Sequence, residues 1–435
     1  MNPATIGAIG VAALLAMLLF RVPVWIALTF VGFVGNVVMT GLQGSLALTG
    51  TVPFDTGSSY TLSVVPLFIL MGEVASETGL SSDLFRAARV MLSGVRSGLA
   101  VAALAACACF GAVCGSSVAT AATMTRIALP EMRKAGYDPG LAAGSLAAGG
   151  SIGILIPPSI IFVIYAAIAE QSVPKLFAAG LFPGLVLTGL YIAVAIAVGF
   201  WRKEYAPAGE SVPFRARIAA MRQPWQFMVL FLATIGGIYA GVFSPTEAAA
   251  IGAAGAIVIG VLGRRLTRES LLKSIESTVV TSGILFLIVF GANMFSFFMV
   301  QTHLPDLMAE GARWLNLSGP AVVVLVIVTY IVLGCFLEGI GMVLITVPVF
   351  LPLVKQFGYD PIWFGVILVI VVEVGLIHPP VGMNLFVIQA QAPDIKITAI
   401  YRGIIPFLLA PLVLIVLMFL FPQLALWLPK VLYGT

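Results

Sequence analysis

Apolar positions run along this chain in blocks of roughly 20 residues, and the short stretches between the blocks hold nearly all of the charges. A coiled block of that length matches the hydrocarbon thickness of a bilayer, and only a helix satisfies its own backbone there. The blocks predict spans near 3–20, 22–40, 63–80, 140–168, 176–200, 226–243, 245–262, 274–300, 362–390 and 397–428. Two further apolar stretches, 97–134 and 319–355, do not fit as single crossings. The first is flanked by Arg86, Arg89 and Arg96 on one side and by Arg126, Arg133 and Lys134 on the other, so both ends seek the positive, cytoplasmic side. It reads as a re-entrant hairpin turning at "GAVCGSS" (111–117), where backbone at membrane depth needs a cover of protein or water.

The remaining charges sort around that hairpin. Arg21, the cluster Arg202, Lys203, Arg215, Arg217 and Arg222, the cluster Arg264, Arg265, Arg268 and Lys273, and Lys396 with Arg402 fall inside. Lys175, Arg313, Lys355 and Lys430 fall outside, which places both termini outside and opens the second hairpin, turning at "GCFLEGIG" (334–341), to the opposite face. The first apolar run lacks a basic leader and a small-residue cleavage site and reads as a permanent span.

Two helical blocks are interrupted in the same way. "GSIGILIPPS" (150–159) and "VGLIHPPVGM" (374–383) each carry glycines and a Pro-Pro pair, which removes backbone donors and clashes with the preceding turn. The two halves match at a constant offset of 222 positions: Leu129-Pro130 with Leu351-Pro352, "GYDP" at 136–139 with "GYDP" at 358–361, and Pro157-Pro158 with Pro379-Pro380. With the charge rule orienting the copies oppositely, the expected fold is an all-α polytopic membrane protein, an inverted repeat with two re-entrant hairpins and two broken helices. The expected organisation is N-terminal scaffold spans at 1–62, a first repeat at 63–200 (hairpin 97–134, broken helix 140–168), a linker at 201–225, and a second repeat at 226–435 (hairpin 319–355, broken helix 362–390).

Composition narrows the function. Of 435 residues, 60% are hydrophobic and 9% charged, far from a soluble domain. The formal charge of +4 sits in short loops and is no nucleic-acid signal. Cys107, Cys109 and Cys114 cluster without a nearby histidine and read as small packing residues rather than a metal site. No Gly-Lys-Ser/Thr phosphate loop occurs, so an ion gradient is the expected driver.

A broken helix presents carbonyls at one half-helix end and N–H groups at the other, and so holds a cation and an anion without charged side chains. The polar candidates beside the breaks and tips are Ser116 and Ser117, Ser151 and Ser159, and Asn384. Among carboxylates at membrane depth, Glu338 in the second tip and Glu373 before the second break are candidates for cation coupling, with local N–H capping the plainer role for Glu373. Glu73 reads as snorkelling, Asn293 as a helix–helix hydrogen bond, and His378 as a structural donor before the second Pro-Pro pair.

On "GSSVATAATMTRIALPEMRKAGYD", "GSIGILIPPS" and "EVGLIHPPVGMNLFV", the chain resembles, over essentially its whole length, the large membrane (DctM-like) subunit of tripartite ATP-independent periplasmic (TRAP) transporters. The resemblance implies an elevator-type carrier, with transport and scaffold domains, that imports organic acids on a sodium gradient across the bacterial inner membrane. It implies two separate partner chains: a periplasmic substrate-binding protein and a small four-span membrane subunit. By similarity, one Na+ lies between Gly115, Ser116 and Ser117 and the break at Gly153, Ile156 and Pro157. A second lies between Glu338, Gly339 and Gly341 and the residues Gly375, His378 and Val381. Two departures concern the second site: the family often has Thr where this chain has His378, and a shorter acid where it has Glu338. The rival readings are a stand-alone sodium-coupled dicarboxylate carrier, an intramembrane hydrolase pairing Ser116 or Ser117 with His378, and a channel.

Overall fold

The computed structural model describes residues 2–207, 212–334 and 337–434, whose regular elements are all helices, with no strand among the described residues. The first half comprises α1 (Pro3–Leu19), α2 (Val24–Gly57), α3 (Val64–Glu77), α4 (Leu80–Met91), α5 (Gly98–Cys114), α6 (Ser117–Lys134), α7 (Pro139–Ile152), α8 (Ile160–Ala169) and α9 (Val173–Trp201). A short helix, α10 (Phe214–Ala220), lies in the polar linker. The second half comprises α11 (Trp225–Phe231), continued through a π turn (Leu232–Gly236) into α12 (Gly237–Tyr239), then α13 (Pro245–Leu262), α14 (Arg268–Thr302), α15 (Leu304–Trp314) and α16 (Gly319–Gly334). It ends with α17 (Gly339–Gln356), α18 (Pro361–Ile377), α19 (Met383–Gln391), α20 (Ile397–Leu420) and α21 (Gln423–Tyr433). Among the described residues, six helices are long and apolar enough to cross a membrane, or seven if α3 and α4, bent by 62°, count as one span. The protein is a multi-pass membrane protein.

The repeated "GYDP" shows how local sequence sets these boundaries. Gly136 and Gly358 follow the ends of α6 and α17 with φ of 75° and 81°, a left-handed geometry that glycine adopts without a Cβ penalty. Asp138 accepts from the Leu141 N–H at 2.9 Å, and Asp360 accepts from Ile362 at 2.7 Å and Trp363 at 3.1 Å. Pro139 and Pro361 then occupy the first helical position, where no N–H is needed. Each motif therefore ends one helix and starts the next.

The offset of 222 positions holds for helix ends as well as motifs. It carries α6 onto α17 residue for residue, Ser117 to Gly339 and Lys134 to Gln356, and it brings α7, α8 and α9 close to α18, α19 and α20. It also relates segments upstream of the hairpins: α4 to α15, α1 to the 225–239 segment, and the start of α2 to the start of α13. Packing is reciprocal, with α6 against α19 and α17 against α8, and likewise α5 against α7 and α16 against α18. The two halves are thus interleaved.

Small residues allow the closest crossings. A Cβ at Gly140 would lie 2.8 Å from the Ala399 carbonyl oxygen, and Gly144 and Gly403 abut through their backbones, so α7 and α20 touch along a glycine seam. The pairing of α2 with α14 is fastened by polar groups. Buried Asn36 donates to the Met294 carbonyl at 3.0 Å and accepts from Gln301 at 3.1 Å, while Asn293 donates to Thr56 at 3.1 Å, the helix–helix role expected of it. Two boundaries differ from the apolar pattern. The block at 22–40 continues to Gly57 through a break at Gly41 (φ 84°), and the block at 397–428 divides at Phe421-Pro422. Mean hydropathy is blind to both because the flanking residues stay apolar.

Candidate ion and substrate site

The first break spans residues 153–159. α7 closes with Gly153 N–H to the Gly150 carbonyl at 3.1 Å and Ile156 N–H to the Ile152 carbonyl at 3.2 Å, after which Pro157 and Pro158 supply no donors and the helix stops. Ser159, in extended geometry, caps α8 by accepting from Phe162 at 3.3 Å. The Pro157-Pro158 and Pro379-Pro380 bonds are both cis.

The first hairpin turn sits directly on this break. α5 ends at Cys114, Gly115 turns the chain with φ 65°, and Ser116 caps α6 by accepting from Ala119 at 3.4 Å. A Cβ at Gly115 would stand 2.8 Å from the Pro158 carbonyl oxygen, and one at Gly111 would collide with Gly153. Only glycines at both points let hairpin backbone reach break backbone. Thr120, one turn into α6, is fully buried with an unbonded hydroxyl, 2.9 Å from where a Gly153 Cβ would be.

Asn384 joins the two repeats. It lies at the start of α19, wholly buried, and donates to Ser117 Oγ at 2.7 Å, while its side-chain oxygen has no partner. The first tip therefore meets the helix that follows the second break. The first tip thus meets the first break at Gly115 and Pro158, Thr120 lies against Gly153, and Asn384 reaches Ser117; Thr120 is an addition that the sequence pattern passed over. Thr120 is one of several threonines on α6, and nothing in its spacing marks it out.

The second break, residues 378–382, is built alike but is less enclosed. Gly382 (φ 55°) folds back so that its Cβ would stand 3.1 Å from the His378 carbonyl oxygen, and Gly334 lies against Gly375, 2.8 Å from a Cβ there. Gly339 packs on Val372 and Ile161, and Gly341 faces Val24. Glu338 precedes α17 with its side chain exposed and makes no capping bond, while Cys335 and Phe336 of the expected turn lie outside the described residues. His378 is half-buried and Val381 exposed.

Glu373 is fully buried on α18, and neither carboxyl oxygen has a hydrogen-bond partner among the described residues, so the expected capping of local N–H groups is not its arrangement. The same 222-residue offset pairs it with Ser151, which donates to the Ala148 carbonyl at 2.8 Å and shares a 3.2 Å hydrogen bond with Tyr191. Glu73 is held by Ser277, whose hydroxyl donates to it at 3.0 Å. Cys107, Cys109 and Cys114 are unpaired, and no cluster of three or more metal-ligating side chains occurs among the described residues. The polar groups at the first tip and break are oxygens of hydroxyls, an amide and an interrupted backbone, a hard donor set.

The described residues form an all-helical membrane fold with two backbone breaks, the first lying against the α5–α6 turn. Residues 11–424 match the family described as the tripartite ATP-independent periplasmic transporter, DctM component. The chain is 36% identical over 402 residues to the C4-dicarboxylate TRAP transporter large permease protein DctM of Pseudomonas aeruginosa, covering 90% of this chain and 93% of that one. It is 32% identical over 372 residues to the isethionate TRAP transporter permease protein DctMQ of Oleidesulfovibrio alaskensis, covering 84% and 58%. The fold is similar to the YdaH transporter of Alcanivorax borkumensis, with a TM-score of 0.64 at 16% identity over 95% of this chain and all of that one. The chain belongs to the DctM family of TRAP transporter large permease subunits, and its function is transport, not enzymatic catalysis.

Proposed function

We propose that this subunit imports small organic acids across the bacterial inner membrane with the sodium gradient, taking its substrate from a periplasmic binding protein and working beside a small four-span membrane subunit. The observation that carries the reading is the contact of the first tip on the first break. Gly115 lies on the Pro158 carbonyl, with the unbonded Thr120 hydroxyl and the unbonded Asn384 oxygen buried nearby. Buried oxygens without partners are costly, and a bound cation offsets that cost. In this reading Na+ is a co-substrate held by Gly115, Ser116, Ser117, Thr120, Gly153, Ile156 and Pro157. A second Na+ is held by Glu338, Gly339, Gly341, Gly375, His378 and Val381, with backbone oxygen replacing the side-chain oxygen that His378 lacks. Ser116, Ser117, Ser159 and Asn384 face the organic acid, and Glu373 adjusts the coupling.

The hairpins are re-entrant and the repeats inverted, and the tips close the site alternately from the two sides. Hairpins and broken helices travel together as a transport domain against a scaffold built from the remaining spans, the α2–α14 pair among them. The relatives named for C4-dicarboxylate and isethionate transport support a small organic anion as cargo. DctMQ, which extends well beyond the length that this chain covers, supports a second membrane component.

The test is uptake of radiolabelled organic acids into proteoliposomes holding this chain with its small partner, with and without binding protein and an inward sodium gradient. Uptake requiring both is expected. Uptake without binding protein would reassign the chain to a stand-alone carrier, and uptake indifferent to sodium would remove both ion sites.

A further inference from the structure

Away from the tips, a cavity of about 1160 Å³ opens between the start of α7, the end of α9 and the start of α20. Four cations and two carboxylates line it. Both carboxylates are already engaged: Asp394 pairs with Arg133 at 2.9 Å, and Asp138 caps α7. Arg202, Lys396 and Arg402 remain exposed and without a carboxylate among the described residues; Arg202 donates only to the Tyr205 hydroxyl, at 3.0 Å. The cavity therefore carries uncompensated positive charge.

Its other wall is apolar. Val198, Ile405 and Pro406 line it together with Trp201, which is 86% exposed. From its edge an exposed stripe runs along α20 through Ile405, Leu409, Leu412 and Val416, spaced to share one helix face. Cations and an indole at one end of a lipid-facing apolar stripe are arranged as an interfacial headgroup site.

We propose that this cavity binds an anionic glycerophospholipid of the cytoplasmic leaflet, its phosphate among Arg202, Lys396 and Arg402 and one acyl chain along the α20 stripe. A soluble anion fits the cations but leaves the stripe unused; a zwitterionic lipid fits the stripe but brings no net charge. The inference rests on the cytoplasmic placement given by the charge pattern, and it is independent of sodium coupling and of the transported substrate.

Native mass spectrometry of the full chain, titrated with phosphatidylglycerol, with phosphatidylcholine and with glycerol 1-phosphate, tests it. Retention of phosphatidylglycerol over phosphatidylcholine is expected, and K396Q/R402Q weakens that preference about thirtyfold, at roughly fivefold per cation. R402K and the distant K430Q keep it. If the double variant does not fold, as judged by its melting curve, R202Q on the opposite wall reports the same preference. Equal retention of the two lipids, an unchanged preference in K396Q/R402Q or R202Q, or full displacement of phosphatidylglycerol by glycerol 1-phosphate would overturn the proposal.

Discussion

The two helix breaks come from the same motif and end in different environments. In the first, every residue from Gly149 to Phe162 is buried, with Ser159 at 0% and Ile161 at 4% exposure. At the matching positions of the second, Val381 is 36% and Met383 40% exposed. The cause is the helix that follows. On α9, a Cβ at Gly180 would stand 2.7 Å from the Leu155 carbonyl oxygen and one at Gly184 2.6 Å from Ile156, so two glycines let α9 lie on the break. The matching positions on α20 hold Arg402 and Pro406, which deny the same approach. A duplicated motif thus gives one closed break and one open one.

The largest test of this contrast lies at the backbone contacts. G111V drives a side chain into Gly153 where no neighbour can yield; we expect a loss of about 3 kcal/mol or more of stability and no measurable uptake. G375V meets Gly334 at the more open break, and its melting temperature falls by roughly half as much. Equal losses would mean that exposure around the second break gives it no freedom to relax.

Accessibility gives the next effect. In a chain cleared of its native cysteines, V381C is expected to react with a water-soluble maleimide roughly a hundred times faster than S159C, since a reactive thiol must be reached by the reagent. Similar rates would show that the first break opens as readily as the second.

The link between repeats comes third. Loss of the buried Asn384–Ser117 bond in N384A costs about 1–3 kcal/mol, and a cycle with S117A leaves a coupling of about 1 kcal/mol in thermal stability. Additive effects would separate the two residues.

T120V removes a hydroxyl with no protein partner, so stability is expected to change by less than about 1 kcal/mol while half-saturation by sodium rises roughly tenfold. An unchanged sodium requirement would take Thr120 out of the ion site. The smallest change is expected for E338Q: the exposed carboxylate is screened by water and the amide keeps an oxygen for the second ion, so uptake changes by about twofold or less.

Much of this architecture was legible along the chain. "GYDP" specifies a stop, a cap and a start because each residue acts on its own backbone, and the Pro-Pro pairs interrupt helices for the same local reason. The turn of the first hairpin at Gly115-Ser116 fell within the Gly-Ser stretch that predicted it. Thr120 and the Asn384–Ser117 bond escaped notice, because a threonine in an apolar helix and an amide 267 positions from its partner acquire meaning only when two helices are laid together.

The sequence by itself determined where helices start, stop and break, and that the chain is a membrane-embedded duplication, since those properties follow from residue-level backbone chemistry and from the length of apolar runs. Only the tertiary structure decided which break is sealed, which tip touches which helix, and which buried oxygens are left without a partner. Those outcomes depend on close approach between distant glycines, and a glycine in the sequence does not say what will come to lie against it.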